Sequence, residues 1–269
     1  MPERGDGAAF DRWLADLEQR HFAELTFPEV ARALRALSAT YVERRQKLGE
    51  GAALAGAGKR AAFALFYGPL HFLLVSHIVG NLPGATDPVS TLVDLGCGTG
   101  ASGAAWASAC SRSRDEGKPG RTPRIVGIDR HPWALSEAAD TYRTFGWSAA
   151  MHRGDAAATK LPSDRCAILA AFTVNELADA ARETLRERLL DRGSRGDRIL
   201  VVEPIAGSIA RWWAGWRAAF EAAGGRSDEW RLRPALPPIV AKLDRAAGLH
   251  HREITGRSLW LAPRVTRSV

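Results

Sequence analysis

The sequence predicts an α/β fold in which helices wind around a mostly parallel, seven-stranded sheet that closes on an antiparallel hairpin at its carboxyl end, with a helical region in front. Three observations carry this. From Ser90 onward, short apolar runs alternate with helical segments, the pattern of parallel βαβ units. The first run, Thr91-Leu92-Val93, leads straight into a glycine-rich turn. Before residue 88 the apolar residues recur at helical spacing instead.

The leading region, 7–82, reads as helical. In Thr26-Phe27-Pro28-Glu29 the threonine caps a helix while Glu29 reaches back to it, and Pro28 is tolerated in the first turn. That helix is expected from about Phe27 to Lys47, with Val30, Leu34, Leu37, Tyr41 and Leu48 on one face, and the glycine-rich run 49–58 ends it. Residues 61–82 are strongly apolar and follow Lys59-Arg60, as a short membrane span would. Gly68-Pro69, His71, His77 and Asn81 interrupt them, so the segment reads as a helix or helix pair buried against the main domain. Phe63, Phe66, Tyr67 and His71 within it read as a packed helix, with a lid over a ligand or an RNA-facing patch as the other readings. The break at 82–88 divides a helical region, 1–88, from a sheet domain, 89–269.

In the sheet domain, strands are expected at 90–95, 124–129, 148–152, 166–172 and 197–203, and helices at 101–110, 132–146, 176–192, 207–223 and 238–247. The polar stretch 111–124 reads as a solvated loop. Thr255-Gly256 separates two strand-like pieces within 250–262, which reads as the closing antiparallel hairpin.

Composition excludes some classes. The chain of 269 residues is 46% hydrophobic and 25% charged, which fits a folded globular protein and argues against extensive disorder. Lys and Arg exceed Asp and Glu by 37 to 30, a net +7 that favours polyanionic partners such as RNA, although an arginine-rich composition supplies the same excess without one. Cys97, Cys110 and Cys166 are too scattered for a disulfide framework or a metal knuckle, and the histidines show no metal spacing, so no metal is expected. The first residues lack the apolar core of a signal peptide, and the expected setting is a reducing cytoplasm without a membrane partner.

The chemistry begins at Asp94-Leu95-Gly96-Cys97-Gly98-Thr99-Gly100. A strand running into D-x-G-x-G-x-G and then a helix places an adenosyl-type ligand at the carboxyl end of the first strand, where Gly96, Gly98 and Gly100 allow turn dihedrals and close approach. The spacing is not the dinucleotide G-x-G-x-x-G, and no Walker lysine follows. Cys97 packs beneath such a ligand. The second strand ends at Asp129, followed by Arg130, and its carboxylate can accept two ribose hydroxyls; capping the next helix is its other reading. Asp155-Ala156 after the third strand can meet an adenine amino group, or Asp155 can simply form a turn. Thr173 and Asn175 follow the fourth strand beside the expected reacting position, Asn175 reading equally as a helix cap. Glu203 ends the fifth strand, where it either lines an acceptor pocket or serves as a structural acid. Trp212, Trp213 and Trp216 with Arg211 and Arg217 read as a core or interface cluster before they read as a base-stacking patch.

Together these motifs resemble the class I S-adenosylmethionine (SAM)-dependent methyltransferases over about residues 90–262, which implies a Rossmann-like fold, SAM as cofactor and methyl transfer. More narrowly, the glycine motif with Val174-Asn175-Glu176-Leu177 and Val201-Val202-Glu203-Pro204 resembles a methyltransferase-like family of small-ribosomal-subunit assembly factors known from mitochondria, with bacterial relatives. That resemblance implies ribosomal RNA or a nascent small subunit as partner. Three functions follow: an RNA- or ribosome-directed methyltransferase, a small-molecule methyltransferase, and a non-catalytic assembly factor that keeps SAM. Asn175 and Glu203 are the candidate catalytic residues.

Overall fold

The computed structural model describes residues 4–43, 54–112, 122–205 and 211–263. The helical region contains α1 (Arg4–His21), α2 (Phe27–Glu43), α3 (Ala57–Ala62), a π-helical turn (Phe63–Tyr67) and α4 (Gly68–Asn81). The remainder of the expected second helix, 44–47, Leu48, most of the glycine-rich run and the core of the polar stretch, 113–121, lie outside the described residues. At the start of α2, Glu29 does reach back: its carboxylate accepts from the Thr26 amide at 2.8 Å. The Thr26 hydroxyl donates to that same carboxylate at 2.7 Å instead of capping a helical amide.

The sheet domain follows as β1 (Thr91–Leu95), α5 (Ala101–Arg112), β2 (Arg124–Asp129), α6 (Pro132–Thr144), β3 (Ala149–Arg153), β4 (Ala167–Ala171), a 3-10 turn (Val174–Glu176), α7 (Asp179–Ser194), β5 (Arg198–Glu203), α8 (Trp213–Ala222), β6 (Arg226–Leu232), α9 (Pro238–Ala247) and β7 (Ile254–Leu261). The seven strands lie in the order β3-β2-β1-β4-β5-β7-β6. β1 to β5 are parallel, while β7 runs antiparallel to both β5 and β6. The order reverses between β1 and β4, so a crevice opens at their carboxyl ends, where open α/β sheets bind ligands.

The antiparallel closure is present, but it is not a hairpin within 250–262. β7 is one continuous strand through Gly256, and its partner is β6 at 226–232. Gly256 is not a turn: a Cβ there would lie 2.7 Å from Leu74 Cδ2, so the residue admits α4 against the sheet. The start of the expected 207–223 helix also changes, since α8 begins at Trp213 and residues 206–210 lie outside the described set.

Two apolar clusters hold the layers together. One face of the sheet packs against α7 and α8 through Leu185, Leu189, Trp216 and Phe220. The other packs against α5, α6 and α9 and against the leading helices, so that Trp13, Phe66, Ile78, Trp106, Tyr142 and Trp260 belong to one cluster. Residues before 88 therefore share the main core. Trp13 donates to Thr141 on α6 at 3.0 Å, and Arg20 pairs with the buried Glu137 at 2.8 Å. The run Ala57–Asn81 is long and apolar enough to cross a membrane by length and composition, but 67% of its most apolar window is buried inside the protein.

Candidate functional site

The crevice lies at the ends of β1 and β4 under a roof supplied by the helical region. Residues 96–100 turn the chain from β1 into α5, and Gly96, Gly98 and Gly100 all have left-handed dihedrals, φ 65°, 54° and 75°. Their reasons differ. A Cβ on Gly96 would overlap the Thr173 hydroxyl, and one on Gly100 would lie 3.0 Å from the backbone of Ala138. Space at Gly96 is therefore taken by the protein itself. Gly98 is less crowded: the nearest atom to a Cβ there would be the Phe63 ring at 3.7 Å, ordinary contact.

Beneath the loop, Asp94 is 1% exposed and accepts from the Tyr142 hydroxyl at 2.7 Å. Burial pushes its carboxyl up to about 7, against the pull of the Tyr142 hydrogen bond and with the help of nearby Asp129. Cys97 is buried, its amide donates to Ile128 O at 3.0 Å, and burial beside Asp94 and Asp129 drives the thiol well above its ordinary value. It is a packing group without nucleophilic character.

Asp129 is tied to the glycine loop and to the start of α6. One carboxylate oxygen accepts from the Gly98 amide at 3.0 Å and the other from the His131 amide at 2.8 Å. It is not the cap of α6, because that place belongs to His131, whose Nδ1 accepts from Trp133 N at 3.2 Å. Each carboxylate oxygen keeps a lone pair for a further donor. Next to it, Arg130 forms an ion pair with Asp155, and the other Asp155 oxygen accepts from the Ala157 amide at 2.6 Å. Partial burial works against this carboxylate, but Arg130 and the amide hold it below its usual range. Asp155 thus serves the turn after β3 and anchors Arg130, with Ala156 buried beside it.

Past β4, Thr173 donates to Leu95 O at 3.0 Å and ties the ends of β1 and β4 together. Asn175 and Glu203 are one unit. The fully buried Glu203 carboxylate accepts from Val174 N at 2.8 Å, Asn175 N at 3.2 Å and Asn175 Nδ2 at 2.6 Å. Asn175 Oδ1 in turn accepts from Trp212 Nε1 at 2.9 Å. The Asn175 amide is thereby held from both ends, and the cap of α7 falls to Ala178. Trp213 and Trp216 are buried, which makes the tryptophan cluster a core feature, and Arg257 stacks 4.0 Å above the Trp213 ring.

The sequence did not single out Phe172, and it read Phe63, Tyr67 and His71 first as packing. Phe66 is packed in the core. Phe63, His71 and Phe172, however, line the crevice together with Asp94, residues 96–99, Ala101, Ser102 and Ala171, leaving a cavity of about 50 Å³. Ligand pockets generally hold about 300 Å³ or more, so the crevice as it stands is smaller than a ligand of that size requires. The residues nevertheless suit an adenosyl group: a carboxylate closes β2, and the loop beside it carries three left-handed glycines.

No family model matches the sequence, and no curated protein is significantly similar to it. Solved structures do resemble it. A mitomycin 7-O-methyltransferase superposes with a TM-score of 0.50 at 14% identity, covering 92% of this chain and 68% of that one. The fold is that of the class I methyltransferases. The N-methyltransferase NodS of Bradyrhizobium japonicum WM9, solved with S-adenosyl-L-homocysteine (SAH), gives 0.45 at 15% identity over 70% of this chain and 85% of its own. The magnesium protoporphyrin IX methyltransferase of Synechocystis PCC 6803, also with bound SAH, gives 0.44 at 12% identity over 72% and 83%.

Proposed function

We propose that this chain is a methyltransferase that uses SAM. One observation carries the reading: in a fold like that of the class I methyltransferases, the carboxylate that closes β2, Asp129, accepts from the Gly98 amide of the glycine loop at 3.0 Å, next to the switch point of the sheet. Asp129 would accept the ribose hydroxyls, Gly98 would admit the ligand, and Asp155 with Ala156 and Arg130 would border the adenine. Gly96, Gly100, Thr173, Asp94 and Cys97 shape the loop from below. When bound, SAM supplies a methyl group already activated on a sulfonium. The chain's own task is then to hold an acceptor in line and to keep water out, which the rings of Phe63, His71 and Phe172 suit. Asn175 and Glu203 act as positioning residues that fix the segment after β4.

For the acceptor, the net charge of +7 and the resemblance to ribosome-assembly factors favour ribosomal RNA or a small ribosomal subunit. The narrow, ring-lined crevice favours a small flat molecule instead. Calorimetry with SAM and SAH tests the cofactor, and labelled SAM offered to purified small subunits and to a small-molecule extract tests the acceptor. Label in the subunits supports the first reading, and label only in the extract supports the second. SAM binding without transfer to either points to a non-catalytic assembly factor, and no SAM binding overturns the proposal.

A further inference from the structure

We propose that Arg257 and the start of α8 form an anion site, separate from the crevice, that takes the carboxylate of an aromatic acid. The inference goes beyond the methyl-transfer reading and does not depend on it.

Arg257 lies on β7 at the carboxyl end of β5, in register with Glu203 on one side and with Glu229 of β6 on the other. It is 7% exposed, and its guanidinium carbon sits 4.0 Å from the ring centroid of Trp213, the first residue of α8. Trp213 belongs to the apolar cluster on the α7 and α8 face, whereas the rings that line the crevice belong to the cluster on the other face. Nε and Nη2 of Arg257 are buried and have no hydrogen-bond partner. Together they carry the N–H groups of one edge of the guanidinium, the fork that matches the two oxygens of a carboxylate. Stacking on Trp213 uses the face of the group and leaves this edge free.

Neither neighbouring acid satisfies the fork. Glu203 is committed to Val174 N, Asn175 N and Asn175 Nδ2, and Glu229 is exposed on the edge strand. Burial draws the Arg257 pKa below its ordinary value, against the pull of both acids, and a guanidinium remains a cation throughout the physiological range. Unpaired donors on a buried cation are costly, and an arriving carboxylate removes that cost.

The second observation is α8 itself. It runs for 10 residues, Trp213–Ala222, and no side chain caps its amino end. A helix amino end draws anions through its first-turn amides and its dipole, and here that end is the residue on which Arg257 stacks. One turn further on, Trp216 also leaves its buried indole N–H without an acceptor. The unpaired buried atoms of Arg257 and Trp216 are all donors, so the site calls for an anion and not for a cation. Two coplanar oxygens sharing one charge suit the buried fork better than a phosphate, whose larger charge costs more to bury. The indoles of Trp212, Trp213 and Trp216, packed edge to face, suit an aromatic body behind the carboxylate.

The test uses the full chain labelled with ¹⁵N-arginine, with the Arg257 Nε signal assigned by its loss in Arg257→Lys. Sodium benzoate is the probe, benzyl alcohol its uncharged counterpart and inorganic phosphate the rival anion, all at constant ionic strength. Benzoate is expected to move the Arg257 Nε signal to saturation and to raise the melting temperature. Arg257→Lys keeps the charge but loses the fork, and should weaken benzoate binding at least about tenfold by calorimetry. Ala214→Asp, at an exposed position in the first turn of α8, adds a competing charge at the helix end and should weaken it about two- to fivefold. That variant keeps Arg257, so it tests the site even if Arg257→Lys does not fold. An Arg257 signal that benzoate leaves unmoved, that benzyl alcohol moves equally, or that phosphate alone moves overturns the inference. So does unchanged benzoate affinity in the folded variants. The measurement needs no SAM, so its failure leaves the methyltransferase reading intact.

Discussion

The Asp129 carboxylate and the Gly98 amide are joined by a 3.0 Å hydrogen bond between the end of β2 and the glycine loop. The bond links the end of β2 to the middle of the glycine loop, so the acid and the turn are set together. Asp129→Ala is expected to weaken SAM binding by about 1 to 3 kcal/mol, the usual cost of losing charge-assisted hydrogen bonds. Calorimetry checks this, and unchanged affinity removes the ribose role from Asp129.

Gly96 meets Thr173 where β1 and β4 are tied together. Gly96→Ala adds a methyl group that overlaps the threonine hydroxyl in a left-handed conformation. Urea denaturation is expected to show a loss of about 2 kcal/mol or more, from the dihedral penalty and the overlap combined. Adding Thr173→Gly should recover only the part due to overlap. Full recovery would mean that the backbone conformation costs nothing there.

Glu203, Asn175 and Trp212 form a buried chain of hydrogen bonds. Glu203→Ala leaves two backbone amides and the Asn175 amide without their acceptor, and a loss of about 3 to 5 kcal/mol is expected, typical of breaking a buried charged network. Asn175→Ala should cost less, and the double substitution should fall short of the sum by about 0.5 to 3 kcal/mol. Additive losses in a double-mutant cycle would show that the two side chains act independently.

Asp94 gives the protein a pH dependence of known sign. Its carboxyl sits at about 7 in the folded chain against 3.8 for the free residue, so between those values the native state holds a proton that the unfolded state has released. Stability from this group is full below pH 3.8, falls as pH rises toward 7, and is flat above that. The total change is on the order of 4 kcal/mol, and Asp94→Asn is expected to flatten the profile across this window. Thermal unfolding followed from pH 4.5 to 8 measures it, and equal slopes in the two proteins would contradict the assignment.

The sequence by itself determined β1 to β5, α5, α6 and α9 and the glycine turn after β1, because each is written in local terms. A buried parallel strand is a short apolar run, a helix has its own period, and a loop of left-handed residues needs glycine at fixed places. Asp129 was legible for the same reason, since a strand end fixes where its side chain stands. β6 was not: Arg226–Leu232 is an edge strand whose charged, half-solvated residues carry no apolar run. Nor did local pattern show that Gly256 admits α4, that Asn175 is tethered to Trp212, or that His71 meets Phe172 across the crevice. Those outcomes join residues far apart in the chain, and only the packing of layers decides which distant side chains come to share one space.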